Sequence, residues 1–245
     1  MSSDHEKYFE ILRKYDTPTV CNVIEQFDAR GRHRGWMNSS IRAVSPKMPP
    51  IVGYATTATF RSAEQAKEGD VYTTFTRHIA SFVDKVPAPR VVVIQDLDEP
   101  FHGATFGEVM CSTYKSFGCA GLITSGGARD IDQVEAIDFP TWSSGISPSH
   151  SYCRMLDVDV PVEVGGIEVK PGDVIHADCN GVTTIPNDLV AEIALGCQKL
   201  VDAEEEVIGY VRSTSNPTVQ ELEAAQARSQ ERMKEIVEQV RAELG

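Results

Sequence analysis

The stretch GCAGLITSGGARDID, residues 118–132, reads as a buried strand that delivers a polar turn. Residues 120–124 form a short apolar run of the kind found in strands covered on both faces. The glycines at 126 and 127 let the chain turn sharply and bring its backbone close to a ligand. Arg129 and Asp130 follow side by side. One is a rigid fork that matches carboxylates and phosphates, and the other is a hard oxygen ligand for a small dication. The pair is either a surface ion pair after a turn or the two halves of a site.

Outward from this stretch the same rhythm repeats. RVVVIQD, residues 90–96, is a second continuous β-branched run, and a helix over about 106–117 fits between the two. A strand–helix–strand order argues for α/β architecture. Upstream, residues 5–28 read as two short helices broken at Thr17-Pro18. IVGYATTATF (51–60) reads as a strand and YTTFTRHIASFV (72–83) as a helix. Downstream the texture changes. VDVPVEV (158–164) alternates, meets Gly165-Gly166 and continues as IEVKPGDVI, a strong hairpin signal. Further turns at PGD (171–173) and HADCNG precede a helix at about 187–206. The expectation is one layered α/β domain over residues 1–211, with mixed parallel and antiparallel strands. RSTSNPT (212–218) reads as a linker, and residues 212–245 as a C-terminal helical extension. Thr218 and Glu221 match a capping box. The stripe Val219, Leu222, Met233, Ile236, Val240, Leu244 must bury somewhere, and a flexible linker would let it reach a neighbouring subunit.

Composition narrows the function classes. The 245 residues carry a formal charge of −13, and the one basic cluster is RGRHRG at 30–35, so no nucleic-acid partner is expected. The six cysteines form no CxxC pair, which fits reduced thiols in a cytoplasmic protein. The N-terminal stretch has no apolar signal region and the chain no 18-residue apolar run, so no membrane association is expected.

Upstream of the Arg-Asp pair lies ATFGEVM, residues 104–110. The first amides of a helix starting here lack intrahelical partners and bind carboxylates or phosphates. Gly107 would keep the approach clear, and the amides of Val109 and Met110 would face the ligand. Twenty residues separate Glu108 from Arg129. Helix, turn and strand would use that length to return the chain to the same edge of the sheet, where α/β ligands bind. Thr105-x-x-Glu108 also fits a capping box, so Glu108 closes a helix end, handles protons, or does both. His102, His150 and His176 fall in loop-like contexts, as structural groups or contributors to specificity. Cys111 and Cys119 fill core space, and Asp178 orients a turn. A Schiff-base mechanism would need a buried lysine, and neither Lys115 nor Lys170 is placed for it.

The run FGEVM…GCAGLITSGGARDID…FPTWSSGISP…PVEVGGIEVKPGDVIHADCNGVTTIP resembles the RraA-like family over roughly residues 17–206. That family includes class II 4-hydroxy-4-methyl-2-oxoglutarate and 4-carboxy-4-hydroxy-2-oxoadipate aldolases, some with oxaloacetate decarboxylase activity, and regulators of ribonuclease E. Its active members carry D-x20-R-D, and this chain has Glu108-x20-Arg129-Asp130, a departure that lengthens the first acid by one methylene. The resemblance implies retro-aldol cleavage or decarboxylation of a small 2-oxo acid through a pyruvate enolate. It assigns Asp130 to a divalent metal, Mg²⁺ or Mn²⁺, and Arg129 to the C2 oxygen. Gly107, Glu108, Val109 and Met110 would form the substrate-binding end of the helix, with Glu108 also handling protons. It further implies a homotrimer or homohexamer in which a glutamate of a neighbouring subunit, here Glu204 or Glu205, supports the metal. The alternative is a regulator that binds ribonuclease E and lacks catalysis. A quinone methyltransferase would need a glycine-rich loop after the first strand, and the chain has none.

Overall fold

The computed structural model describes residues 5–245. Residues 1–4, where the stretch read as free of a leader and the expected domain begin, lie outside the described residues. Helices α1 (Glu6–Leu12) and α2 (Thr17–Gln26) open the chain, followed by strands β1 (Arg42–Ala43) and β2 (Ile51–Arg61). Then come α3 (Phe75–Phe82), β3 (Arg90–Asp96), β4 (Ala104–Phe106), α4 (Glu108–Ser116), β5 (Cys119–Thr124) and β6 (Gly127–Ala128). Helix α5 (Ile131–Ala136), β7 (Thr141–Ser143) and β8 (Gly145–Ile146) complete the parallel half. The other half holds β9 (Arg154–Val158), the hairpin β10 (Val162–Val164) and β11 (Ile167–Val169), then β12 (Val174–Asp178) and β13 (Gly181–Ile185). Helices α6 (Val190–Ser213) and α7 (Val219–Leu244) close it.

The main sheet runs β1-β7-β5-β3-β2-β12-β13, with β9 also on β2. Strands β7, β5, β3 and β2 are parallel neighbours, and β12, β13 and β9 add antiparallel pairs, so the sheet is mixed as expected. Alternate residues of a strand face opposite sides, and both sides of β3 are covered. Val92 and Ile94 pack with Phe9, Val20 and Leu200 of the helical layer, while Val91 and Val93 pack with Trp142, Val162 and Val169 under the β10–β11 hairpin. That double burial is why RVVVIQD has no polar alternation. The hairpin turns at Gly165 and Gly166, with φ of 59° and 78°. Both residues need the left-handed region, which glycine enters without strain.

A second sheet, β4-β6-β8, is parallel throughout and continues the first. After β5 the chain bends at Ser125-Gly126 into β6, and after β7 it bends at Ser144 into β8. A Cβ on Gly126 would stand 2.1 Å from Thr105 Oγ1 and 2.5 Å from Asp96 Oδ2, so only glycine fits the bend. The small sheet thus carries the carboxyl ends of the parallel strands onward to one corner.

Three expectations are corrected. The helix predicted from about 106 starts at Glu108, because residues 104–106 extend the sheet as β4. The predicted linker is shortened by two residues: α6 runs through Ser213, residues 214–218 make the connection, and Tyr210 Oη accepts from the Thr218 N–H at 2.9 Å, pinning a tight helix–helix turn. Helix α7 then folds back on its own subunit, burying Ala225, Ser229, Ile236 and Val240 against α6 and α2, while Val219 and Leu244 of the expected stripe stay exposed. The Thr218–Glu221 capping box is present, with the Glu221 N–H donating to Thr218 Oγ1 at 3.3 Å.

Candidate functional site

Asp130 organises the corner. Its backbone is left-handed, φ 56° and ψ 44°, between β6 and α5. Its side chain makes no cap to α5. Instead Oδ2 accepts the Glu108 N–H at 3.0 Å and so caps α4, a helix reached through the loop after β3. A carboxylate at a helix N-terminus meets both an orphan donor and the positive end of the dipole. Gly107 is bare for a steric reason: a Cβ there would lie 2.3 Å from Asp130 Oδ2 and 3.0 Å from Arg129 Nε. Arg129 Nε is 3.8 Å from Asp130 Oδ2, and the two side chains are 35% and 38% exposed. Arg129 is fixed in the backbone by its N–H donating to Phe106 O at 3.2 Å, which continues the β4–β6 ladder.

The structure therefore brings Gly107, Glu108, Arg129 and Asp130 to one corner, and the Thr105–Glu108 capping box is not formed. Thr105 is buried in β4, where its Oγ1 accepts from Thr124 Oγ1 at 3.3 Å. The cap comes from Asp130, twenty-two residues away, and the exposed Glu108 carboxylate is left uncommitted to it. With the Glu108 N–H occupied and the Cys111 N–H bonded to Gly107 O at 3.1 Å, the Val109 and Met110 amides are the remaining first-turn donors. Val109 is 74% exposed beside them.

Other candidates separate from the corner. His176 lies in β12 rather than a loop and is fully buried; its Nδ1 is 2.9 Å from Thr17 Oγ1 and its Nε2 3.2 Å from Leu12 O. Burial holds its pKa below the usual imidazole value, so it is a neutral structural group. His150 is exposed, 2.7 Å from Ser151 O. His102 sits in the exposed loop before β4. Cys111 and Cys119 are buried thiols, and burial pushes Cys119 up to about 12. Asp178 Oδ1 accepts from the Asn180 N–H at 2.8 Å and orients a turn as expected. Lys115 binds Ile137 O and Asp138 O at the end of α5, and Lys170 pairs with Glu168. Glu205 faces Arg212 within α6, and Glu204 lies beside it.

Sequence reasoning missed Asp96, at the carboxyl end of β3. It is 7% exposed; Oδ1 accepts the Asp98 N–H at 3.0 Å, and Oδ2 is buried without a partner. Burial first, and Asp98 nearby, raise its pKa to about 6. The only signal was an aspartate ending an otherwise apolar strand. A groove of about 840 Å³ between α6 and α7 is remote from this corner, and its lining charges pair with one another, as in Glu206 with Arg228 and Arg232.

Among known proteins, the RraA-like family, described as Aldolase/RraA, matches residues 20–184. Protein DlpA of Legionella pneumophila is 29% identical over 178 residues, an alignment covering 71% of this chain and 27% of that protein. A Halalkalibacterium halodurans protein provisionally named 4-hydroxy-4-methyl-2-oxoglutarate aldolase is 32% identical over 100 residues, 40% of this chain and 48% of that one. The chain thus matches about a quarter and about half of these two relatives' lengths. Among solved structures, Streptomyces coelicolor RraAS2, described as an unusual member of the RNase ES inhibitor RraA protein family, aligns with a TM-score of 0.66 at 23% identity, covering 87% of this chain and 99% of that chain. An uncharacterized protein from Pseudomonas syringae pv. tomato aligns at 0.67 and 24%, covering 90% and 97%. At these identities the two structures establish a shared fold. No helix among the described residues is long and apolar enough to cross a membrane.

Proposed function

Because the chain belongs to the RraA-like family, we propose that it is a divalent-metal-dependent carbon–carbon lyase. It cleaves or decarboxylates a small 2-oxo or hydroxy di- or tricarboxylate through a pyruvate enolate. The observation that carries this reading is the corner itself. Gly107 is kept bare against Arg129 and Asp130, and Asp130 joins the N-terminus of α4 to the Arg-Asp turn. That arrangement supports the lyase reading over a regulator of ribonuclease E, whose binding to a protein would not require it.

The donors present fit Mg²⁺ or Mn²⁺ held by few protein ligands. Asp130 Oδ2 is engaged by the Glu108 amide, leaving Oδ1 for a cation. No cluster of three or more His, Cys, Asp or Glu side chains among the described residues forms a full cage. An ion that keeps most of its waters and takes one or two carboxylates suits such a site. When bound it would supply Lewis-acid polarisation of the 2-oxo group. The remaining chemistry falls to this chain's residues. The Val109 and Met110 amides hold the C1 carboxylate at the positive end of α4. Arg129 donates to the C2 oxygen as negative charge grows there. Glu108 moves the C4 hydroxyl proton through a water and returns a proton to the enolate. A symmetric trimer or hexamer, with Glu204 or Glu205 of a neighbour near the metal, is part of the same proposal. The exposed Val109 and Ile146 at the corner's edge support it as surfaces for a neighbour to cover. The cytoplasm is the proposed location.

The test is pyruvate release from a panel of 4-hydroxy-2-oxo acids and oxaloacetate with Mg²⁺ or Mn²⁺. Release that is lost in EDTA and restored by metal is expected. Full turnover by the metal-stripped protein, or no pyruvate from any panel member, overturns the reading.

A further inference from the structure

A pocket of about 240 Å³ opens between the N-terminus of α3, strand β9 and the first turn of α4. Phe60, Tyr72, Phe75, Met110 and Met155 make it apolar, and Arg154 is its one charged lining residue. Arg154 is built into the fold. Its backbone pairs with Arg61 across β2 and β9, and its side chain is 13% exposed. Nη1 is buried and has no hydrogen-bond partner. The carboxylate facing it, Asp70 Oδ2, stands off at 4.0 Å and already accepts the Lys67 N–H at 2.8 Å. A guanidinium is charged at every physiological pH, and a buried donor of that kind is costly until an acceptor meets it. Apolar walls around a guanidinium with one buried donor unmet describe a cavity shaped for an anion on a hydrocarbon stem.

Met110 connects this pocket to the corner. Its amide is one of the free donors at the end of α4, and its side chain lines the pocket. We propose that the pocket is the subsite for the far half of the substrate, and that Arg154 pairs with a second carboxylate there. A 2-oxo dicarboxylate substrate then lies with its C1 carboxylate on α4 and its distal carboxylate on Arg154. This rests on the lyase reading and narrows its substrate class. Arg154 determines specificity and takes no part in the proton transfers.

The experiment compares two inert ligands of equal chain length, 2-oxoglutarate and 2-oxopentanoate, by calorimetric titration of the full chain with Mg²⁺. The wild type should bind the dicarboxylate roughly 10- to 100-fold more tightly, the range of a hydrogen bond between charged groups. Arg154→Met keeps the apolar stem and should erase that preference while binding 2-oxopentanoate as before. Equal affinity of the wild type for both ligands overturns the subsite alone, and so does an unchanged preference in the variant. A wild type that binds neither ligand overturns the lyase reading and the subsite with it.

Discussion

The corner at α4 and the hairpin of α6 with α7 are both rich in charge, and they use it in opposite ways. In the hairpin the charges that line the groove are largely paired with one another. Glu206 lies 2.9 Å from Arg228 and 3.2 Å from Arg232, Lys199 lies 3.0 Å from Glu243, and Tyr210 is bonded to Glu221 at 3.0 Å. At the corner Arg129 and Asp130 are close without forming a tight pair, and the Glu108 carboxylate takes no part in the cap. Surface pairs such as those of the hairpin contribute little individually, whereas at the corner a loosely paired arginine and an uncommitted carboxylate keep donors and acceptors available beside a helix N-terminus. The difference separates the groove, which is a helix–helix seam, from the corner, which is the candidate site.

The sharpest way to break this contrast is Asp130→Asn. Asparagine keeps an oxygen to cap the Glu108 N–H and is as good an N-cap acceptor as aspartate. It removes the charge a dication needs. The melting temperature should stay near that of the wild type while lyase turnover falls to background and Mg²⁺ no longer binds in titration. Activity retained by Asp130→Asn would make Asp130 a cap alone and move any metal elsewhere.

Glu108→Gln asks less of the structure. The side chain forms no capping box, so its exchange should leave stability unchanged, and Gln retains the helical preference of the position. Turnover should drop by roughly the 10²- to 10⁴-fold typical of a lost acid–base group. Affinity for pyruvate with metal should hold. A stable and fully active Glu108→Gln would assign proton transfer to another group.

What was legible in the sequence follows from the range of the interactions involved. Strands β3 and β5 were readable because burial on both faces leaves an unbroken apolar run, and the β10–β11 turn because Gly165 and Gly166 need positive φ. The approach of Glu108 to Arg129 was readable from spacing alone, since strand, turn and helix consume a predictable length. The identity of the α4 cap was not. Thr105 offered a local match to a capping motif, but β4 pairing with β6 buried it, and a distant aspartate took the role. His176 was misplaced for a similar reason: flanking turn residues hid a strand whose burial depends on α1 and α2. Arg154 gave no local signal, because its lack of a partner is a property of the packed pocket. The C-terminal stripe was visible, yet its partner, the remainder of α6, was read as ending about seven residues early.

Asp96 stands between the two regions, buried like the core and unmatched like the corner, and it gives the smallest effect. Its Oδ2 has no partner, and Thr105 Oγ1 crowds the same space above Gly126. A proton on the carboxyl group would relieve the buried charge, which is why burial lifts its pKa from 3.8 to about 6. The sign follows from linkage. Between those two values the folded chain binds a proton that the unfolded chain releases, so Asp96 favours folding more as pH falls from 6 toward 4. Above pH 6 the group is charged in both states, and its burial is a net cost. The shift corresponds to on the order of 2 kcal/mol once partial solvent screening is allowed for. Asp96→Asn removes the charge with little change in volume. The variant should be more stable than the wild type at pH 7, and that advantage should shrink steadily to near zero by pH 4 in urea denaturation. Other carboxylates titrate in this window as well, but they are common to both proteins and cancel in the difference. A difference that does not vary between pH 4 and pH 7 would mean that Asp96 ionises as freely in the folded chain as in the unfolded one, with its second oxygen met by a partner such as water.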